Sequence, residues 1–310
     1  VKVTEVNEWK SGSASREVVI LANPRAGRGR GAQAVEQLQR ELESRQFEPV
    51  VATNPDELTE RVAAASTAGS LRAVVLVGGD GTVQLAANRL PLHTPMTILP
   101  MGTENLLARY FGMSSNPAHV AEAVRKGATR VVDLAQASSL KFVLMMGCGF
   151  DADVVHHLDA TRTGPISHWS YAGPIFRSVR NYRYPEMQVH FAARTSAGEV
   201  LPQTLRAHWV FAFNFPVYAN GIPFARQADP TDGEFDVCCF RGGSFPRGLF
   251  HLATIWTRTH GRWSGCVRFK TDRLRVEAVE PVPVQFDGDP GGSLPVEISV
   301  IPQGLTLIVP

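Results

Sequence analysis

Five consecutive apolar residues, Ala73-Val74-Val75-Leu76-Val77, run directly into Gly78-Gly79-Asp80-Gly81-Thr82, after which Val83-Gln84-Leu85-Ala86-Ala87-Asn88 reads as a helix. An unbroken apolar run of that length suits a strand buried on both faces, as in parallel sheets covered by helices. The glycines therefore fall at a strand-to-helix junction. Lacking Cβ atoms, they let the backbone take positive φ and let a bulky anion come close. The amides that open the next helix have no partner within it, and the helix dipole favours negative charge beside them. Thr82 can add a hydroxyl donor, and Asp80 can hold a magnesium ion or steer a phosphate through one. Two glycines alone mark a tight turn; an acid and a hydroxyl enclosed with them point to nucleotide phosphate.

The chain divides into two styles. From Glu17 to about Ser138, apolar runs at 18–21, 50–52, 73–77 and 96–99 alternate with helical patterns. The helices are expected at 33–44, with Val35, Leu38 and Leu42 on one face, at 56–65, capped by Asn54 or Asp56, and near 104–111. Such alternation predicts an α/β domain with a doubly wound parallel sheet, whose ligands sit at the carboxyl ends of its strands. From about Leu140, strand-like runs dominate at 142–146, 187–191, 209–213, 235–238, 273–279, 282–286, 296–300 and 305–309. They predict a second, β-rich domain of sandwich or open-barrel type, with helical inserts near 175–183 and 247–259. The expected layout is a disordered tail at 1–15, an α/β domain at 16–138, and a β-rich domain at 139–302. Residues 303–310 are a candidate return to the first domain.

Composition sets outer limits. With 310 residues, 44% of them hydrophobic and 19% charged, the chain can build two cores. No apolar run approaches the ~20 residues that span a bilayer. The polar opening, with Glu5, Glu8 and Lys10, does not read as a signal peptide. Cys148, Cys238, Cys239 and Cys266 have neither disulfide nor zinc spacing, which predicts a reducing, cytoplasmic setting. His156 and His157 are too close for a helical chelate. A net charge of +2 without a recognition pattern argues against nucleic acid as a partner.

A Walker-A loop is absent. Gly27-Arg28-Gly29-Arg30-Gly31 imitates a dinucleotide fingerprint, yet Thr53 stands where a ribose-binding acid would close the second strand. Asn23-Pro24-Arg25-Ala26-Gly27 reads instead as a loop lining the nucleotide site, with Arg25 or Arg28 as phosphate partners. Pro100-Met101-Gly102-Thr103-Glu104-Asn105 repeats the order of strand, glycine, hydroxyl and helix start. Two such loops at neighbouring strand ends could clamp one polyphosphate. Phe286-Asp287-Gly288-Asp289-Pro290 is a third candidate, an acidic turn after an apolar strand.

These segments, with Ala108-Arg109, Gly147 to Ala152 and Asp229 to Val237, resemble the catalytic superfamily of diacylglycerol and sphingosine kinases, closest to its soluble bacterial lipid kinases. The resemblance spans nearly all the chain after Arg16. It implies an ATP-magnesium domain, a β-rich domain for the lipid, and an active site in the interdomain cleft. By position, Asn23, Pro24, Arg25, Ala26, Gly27, Thr53, Gly78, Gly79, Asp80, Gly81, Thr82, Val83, Gln84 and Thr103 would hold ATP. Asp289 would be the general base, with Asp287 as its neighbouring substitute, and Mg²⁺ near Asp80 would bridge phosphates. A structural magnesium loop would fall on Asp229, Asp232 and Glu234, the first and last through backbone carbonyls. The chain departs from the pattern at Ala26, usually serine; at Glu104, usually a small residue; and at Asp289, usually glutamate, which shortens the base by ~1.5 Å.

The implied acceptor is a hydroxyl of a membrane lipid. Between Phe240 and Lys270 there is no Asp or Glu, while Arg241, Arg247, Arg258, Arg262, Arg268 and Lys270 alternate with Phe245, Phe250, Trp256 and Trp263. Arg162 and Arg183 bound a second basic and aromatic stretch. Both suit peripheral contact with an anionic inner-membrane surface, and aromatics packed inward under solvated arginines would look the same. A homodimer is left open. Two rival functions share these features: an NAD kinase-like enzyme, lacking here its second Thr-Pro-Thr-Gly-Ser type motif, and a non-catalytic lipid or nucleotide sensor.

Overall fold

The computed structural model describes residues 7–8, 15–22, 31–160, 182–194, 200–218, 224–257, 259 and 262–310. The chain forms two compact units, residues 1–132 with 303–310, and residues 133–302.

The first unit is built on parallel strands β2 (Glu17–Ala22), β3 (Glu48–Ala52), β4 (Leu71–Gly78) and β5 (Pro95–Pro100), in the order β3-β2-β4-β5. The end of the last strand, β17 (Val296–Ile308), continues the sheet: Thr306 pairs with Pro95 and Leu307 with Met96, in parallel. The start of β6 (Ala128–Ala137) follows, and Asn7–Glu8 (β1) lies antiparallel on it, so a two-residue strand falls within the tail expected to be disordered. Its ladder bonds to Thr129 and Ala128 order a polar segment that hydrophobicity alone would leave loose.

Helices α1 (Gly31–Glu43), α2 (Pro55–Ala68), α3 (Asp80–Arg89), α4 (Leu106–Tyr110) and α5 (Pro117–Lys126) alternate with these strands. Val35, Leu38 and Leu42 of α1 join Val18, Ile20, Val75, Val77 and Leu99 in one core. Asn54 caps α2 through the amides of Asp56 and Glu57, and Asn116 caps α5 through Ala118. At the other end of α5, the buried Arg72 guanidinium donates to the carbonyls of Val124 and Arg125. A cation thereby meets the negative end of that helix.

The second unit contains two antiparallel sheets. One has the order β13 (Cys266–Thr271), β12 (Phe235–Phe240), β11 (Trp209–Phe213), β8 (Met145–Gly149), β15 (Pro283–Phe286), β16 (Asp289–Ser293). The other runs β10 (Val200–Ala207), β9 (Met187–Arg194), β14 (Arg273–Ala278) and the first half of β17. A short β7 (Leu140–Phe142) pairs with the end of β6. Inward residues of both sheets, among them Phe142, Cys148, Val189, Phe235, Val237, Leu274 and Ile298, make one core. That is the alternation of a sandwich.

The sequence run 142–146 is split by a turn at Val143 and Leu144, because the backbone there is held by a side chain rather than a ladder. Helix α6 (Phe150–Ala160) follows β8 directly, and α7 (Phe245–Trp256) follows β12. The helical insert expected near 175–183 lies for the most part outside the described residues. The outer face of β11 and β12 carries a second aromatic layer of Trp209, Phe211, Phe213 and Phe240 with Phe224, on which His251 of α7 packs.

Candidate active site

In the first unit, β4 and β5 end side by side, with Gly78 opposite Pro100 and the Met101 amide donating to the Gly78 carbonyl at 2.9 Å. The two glycine loops that follow touch back to back. A Cβ on Gly102 would stand 2.7 Å from the Cα of Gly79 and 2.7 Å from Asn105 Oδ1, and one on Gly79 would stand 3.1 Å from the Cα of Gly102. Only two residues without side chains can meet this way. Asn105, at φ 48° and ψ 48°, folds over its own loop: its Oδ1 accepts the Gly102 amide at 2.9 Å and its Nδ2 donates to the Gly102 carbonyl at 2.7 Å.

Asp80 locks the loops together. Its Oδ2 accepts the Leu106 amide at 2.9 Å and its Oδ1 the Leu107 amide at 3.0 Å, so one carboxylate caps the helix that opens after the other loop. Burial pushes the Asp80 carboxyl above the usual range, while the two amide bonds pull it back. Glu104 nearby adds to the upward shift. Helix α3 begins at Gly79 without a side-chain cap. Gly79, as the cap residue, brings no side chain of its own to the leading amides.

Other expected nucleotide residues are spread unevenly. Gly81 and Thr103 are exposed and Gln84 is half-buried beside this corner of the sequence. Thr82 is buried, its hydroxyl filling the space that a Cβ on Gly78 would take, so it braces the strand end rather than facing outward. Val83 is fully buried and can offer only its backbone. Thr53 gives both its amide and its hydroxyl to Glu57 Oε2, at 2.9 and 3.0 Å, reinforcing the start of α2. Asn23, Pro24, Arg25, Ala26 and Gly27 lie outside the described residues.

In the second unit, Asp287 and Gly288 both take positive φ, 54° and 91°, as the two central residues of a tight hairpin between β15 and β16. An Asp-Gly pair suits the mirror-image turn that such a hairpin needs. The Asp287 side chain is a post. Its Oδ2 accepts the Val143 amide at 2.7 Å, and its Oδ1 accepts those of Leu144 and Met145 at 2.7 and 2.9 Å. Asp287, expected as the neighbouring substitute for the base, thus has both side-chain oxygens engaged by backbone amides. Asp289 opens β16 and is exposed.

A buried relay supports this hairpin. Gln285, 1% exposed, donates from Nε2 to Asp151 Oδ2 at 2.9 Å and accepts the Gly288 amide on Oε1 at 2.8 Å. The Tyr218 hydroxyl bonds the other oxygen of Asp151, whose carboxyl burial pushes upward in pKa. Gly147 leaves the room: a Cβ there would lie 2.5 Å from Asp151 Oδ2 and 2.7 Å from Gln285 Nε2. Gln285 was not singled out in the sequence, although one polar residue between Val284 and Phe286 in a buried strand was the available signal.

The proposed magnesium loop holds a different cation. Asp229 Oδ1 accepts the amide and hydroxyl of Thr231, and Asp232 Oδ1 accepts the Glu234 amide. Asp232 Oδ2 binds the Lys270 ammonium, which also stands 3.2 Å from Asp236 Oδ2. Among the described residues no three His, Cys, Asp or Glu side chains gather as metal ligands. The set Asp229, Asp232 and Glu234 does not fit a divalent cation as it stands, because the one carboxylate offered is already neutralised by Lys270. Burial lowers the affinity of Lys270 for its proton, yet its bonds to Asp232 and Asp236 outweigh that and raise its pKa.

A parallel sheet with a glycine corner, followed by an antiparallel sandwich with an acidic hairpin, makes up the two-domain plan of this chain. Residues 17–137 match the diacylglycerol kinase catalytic domain, and residues 145–309 match the YegS C-terminal NAD kinase beta sandwich-like domain. The chain belongs to the family of diacylglycerol kinases and YegS-like lipid kinases. It is 26% identical over 302 residues to the diacylglycerol kinase of Mycobacterium tuberculosis (strain ATCC 25618 / H37Rv), covering 95% of each chain. Its fold is that of a diacylglycerol kinase from Bacillus anthracis str. Sterne, with a TM-score of 0.64, 20% identity, and 96% and 98% of the two chains covered. A more distant likeness, at a TM-score of 0.50 and 13% identity over 94% and 93% of the chains, links it to an NAD kinase from Archaeoglobus fulgidus solved in complex with ATP.

Proposed function

We propose that this kinase transfers the γ-phosphate of ATP to a hydroxyl of a membrane lipid, of the diacylglycerol or the sphingoid and ceramide type. The observation that carries the nucleotide half is the meeting of Gly79 and Gly102, which clears side chains from the uncapped start of α3. Backbone amides there suit a triphosphate. Asp80 accepts the Leu106 amide on one oxygen and the Leu107 amide on the other, and a carboxylate offers about four lone-pair sites, so it can also hold the Mg²⁺ that accompanies ATP. Bound there, that ion would neutralise phosphate charge.

The exposed carboxylate of Asp289 is assigned the base. It takes the proton of the lipid hydroxyl as that oxygen bonds to the γ-phosphorus, and the bond to the bridging oxygen breaks to release ADP. The rigid relay behind Gly288 supports that role, since a base must be held within hydrogen-bond reach of its proton. This reading puts the chain in the cytoplasm, at the inner face of the membrane that carries its acceptor. No helix among the described residues is long and apolar enough to cross a membrane.

Incubation with radiolabelled ATP and separate diacylglycerol, sphingosine, ceramide and NAD acceptors tests the proposal. Label in one of the lipids is the expected result. Label in NAD alone would favour an NAD kinase-like enzyme, and nucleotide binding without label in any acceptor would favour a sensor.

A further inference from the structure

Helix α7 has an unusual cross-section. Gly248, His251, Thr254 and Ile255 are buried, a face at helical spacing that packs on the aromatic layer of β11 and β12. The opposite face is apolar as well. Leu249 is 44% exposed and Phe250 41%, and Trp263, 50% exposed, sets its ring edge-on to Phe250 at 4.9 Å. Of the seven large hydrophobic side chains exposed among the described residues, these three share one spot. A helix apolar on both faces ordinarily has both covered. Here one stays bare, and its neighbours on the chain say what covers it.

Arg247 lies on α7 itself, Arg262 adjoins Trp263 in the chain, and the Arg241 amide bonds the Gly265 carbonyl two residues beyond Trp263; all three are exposed, and no acidic residue occurs from Phe240 to Lys270. A second copy docked on the same face about a twofold axis would bring arginine against arginine. An anionic surface would not. Tryptophan and phenylalanine favour the headgroup boundary of a bilayer, and arginine reaches phosphates while its stem lies along apolar surface. We propose that the outward face of α7, with Trp263, docks this protein on an anionic phospholipid bilayer: Leu249, Phe250 and Trp263 enter the interface, and Arg241, Arg247 and Arg262 meet lipid phosphates. This docking stands on exposure and charge and needs neither ATP nor turnover, so its failure is separate from failure of the kinase reading.

The full chain should sediment with vesicles of phosphatidylcholine and phosphatidylglycerol, weakly with phosphatidylcholine alone, and less as salt rises. Phe250→Ser with Trp263→Ser should cut that binding about tenfold or more, and Arg247→Glu with Arg262→Glu should abolish its preference for the anionic lipid. Both variants are compared at unchanged circular dichroism. As a measurement on the unsubstituted chain, brominated lipid should quench tryptophan fluorescence, and Trp263→Phe should remove part of that quenching. Equal binding to both vesicle types, or no loss in either double variant, would overturn the proposal. So would a concentration-dependent dimer that the same substitutions abolish, which would give the face to a second copy.

Discussion

The carboxylate of Asp151 lies 2.9 Å from the side-chain nitrogen of Gln285, and both groups are buried in the sandwich unit. Gln285 can only donate there, so Asp151 must accept at that oxygen in either protonation state. The Tyr218 hydroxyl at the other oxygen can donate to a carboxylate or accept from a protonated acid.

Burial raises the Asp151 carboxyl, so the folded protein holds a proton that the unfolded chain releases at lower pH. Folding is therefore favoured below the ordinary carboxylate range, and that advantage is lost as pH rises through the raised value. Asp151→Asn copies the protonated acid and should remove this dependence. Urea melts at acidic and neutral pH should show the variant gaining on the parent as pH rises; parallel curves would refute it. Asp151→Ala, which takes the carboxylate partner from the buried Gln285 Nε2, should cost about 1–3 kcal/mol.

Asp80 should prove structural and functional at once. Asp80→Asn keeps one acceptor for the amides of Leu106 and Leu107 and loses the other, at a cost of about 1–3 kcal/mol. The melting temperature should fall, and ATP should protect the variant less than the parent in calorimetry. An unchanged melting curve would contradict a structural role for the bonds to Leu106 and Leu107.

Gly102→Ala is the sharper test of the nucleotide corner. Its Cβ would meet backbone at 2.7 Å, against 3.1 Å for Gly79→Ala, so the loops must part. ATP affinity by titration calorimetry should fall in both and more in Gly102→Ala. The reverse order would remove the packing argument.

Lys270→Met strips from Asp232 and Asp236 the cation that the described residues place on them. Lys270 is 34% exposed and Asp236 4%, so the loss should lie between the ~1 kcal/mol of an exposed pair and the ~3–5 kcal/mol of a fully buried one. The parent's melting temperature should be the same in Mg²⁺ and in EDTA, whereas the variant should be rescued by Mg²⁺. A parent destabilised by EDTA would restore the magnesium loop.

Asp289→Asn should lower turnover by about 10²–10⁴-fold with little change in stability. Asp287→Asn should do the opposite, loosening the turn at Val143 to Met145 first. Single-turnover phosphorylation and urea melts on the same two proteins separate the roles. Equal turnover of Asp289→Asn and parent would move the base elsewhere.

Much of the sheet of the first unit was legible because its parallel strands carry short apolar runs and helices such as α1 show their period: 73–77 became Leu71–Gly78, and 33–44 became Gly31–Glu43. Helix α5 passed unnoticed although Asn116-Pro117 announces it, since its apolar face is mostly alanine and valine. Helix α6 was hidden by its aspartates and histidines, and β10 by a polar face. At the site, glycine spacing pointed to the loops themselves. Spacing could not tell that Asp80 reaches 26 residues forward to Leu106, or that Asp287 reaches 144 residues back to Val143. Long-range acceptance of amides by a carboxylate depends on which strands become neighbours, and that is decided by the fold.

The strand Val296–Ile308 also has a temporal meaning. Its first residues pair with β14 in the sandwich, and its last ones pair with β5 of the parallel sheet. During synthesis on the ribosome, β2 to β5 emerge well before residues 306–307, and the flank of β5 stays uncovered until those residues follow. A sheet begun at Glu17 is thus continued past β5 only by residues 306–307, and a nascent chain stalled short of residue 306 would present a bare sheet margin to chaperones or to another copy of itself.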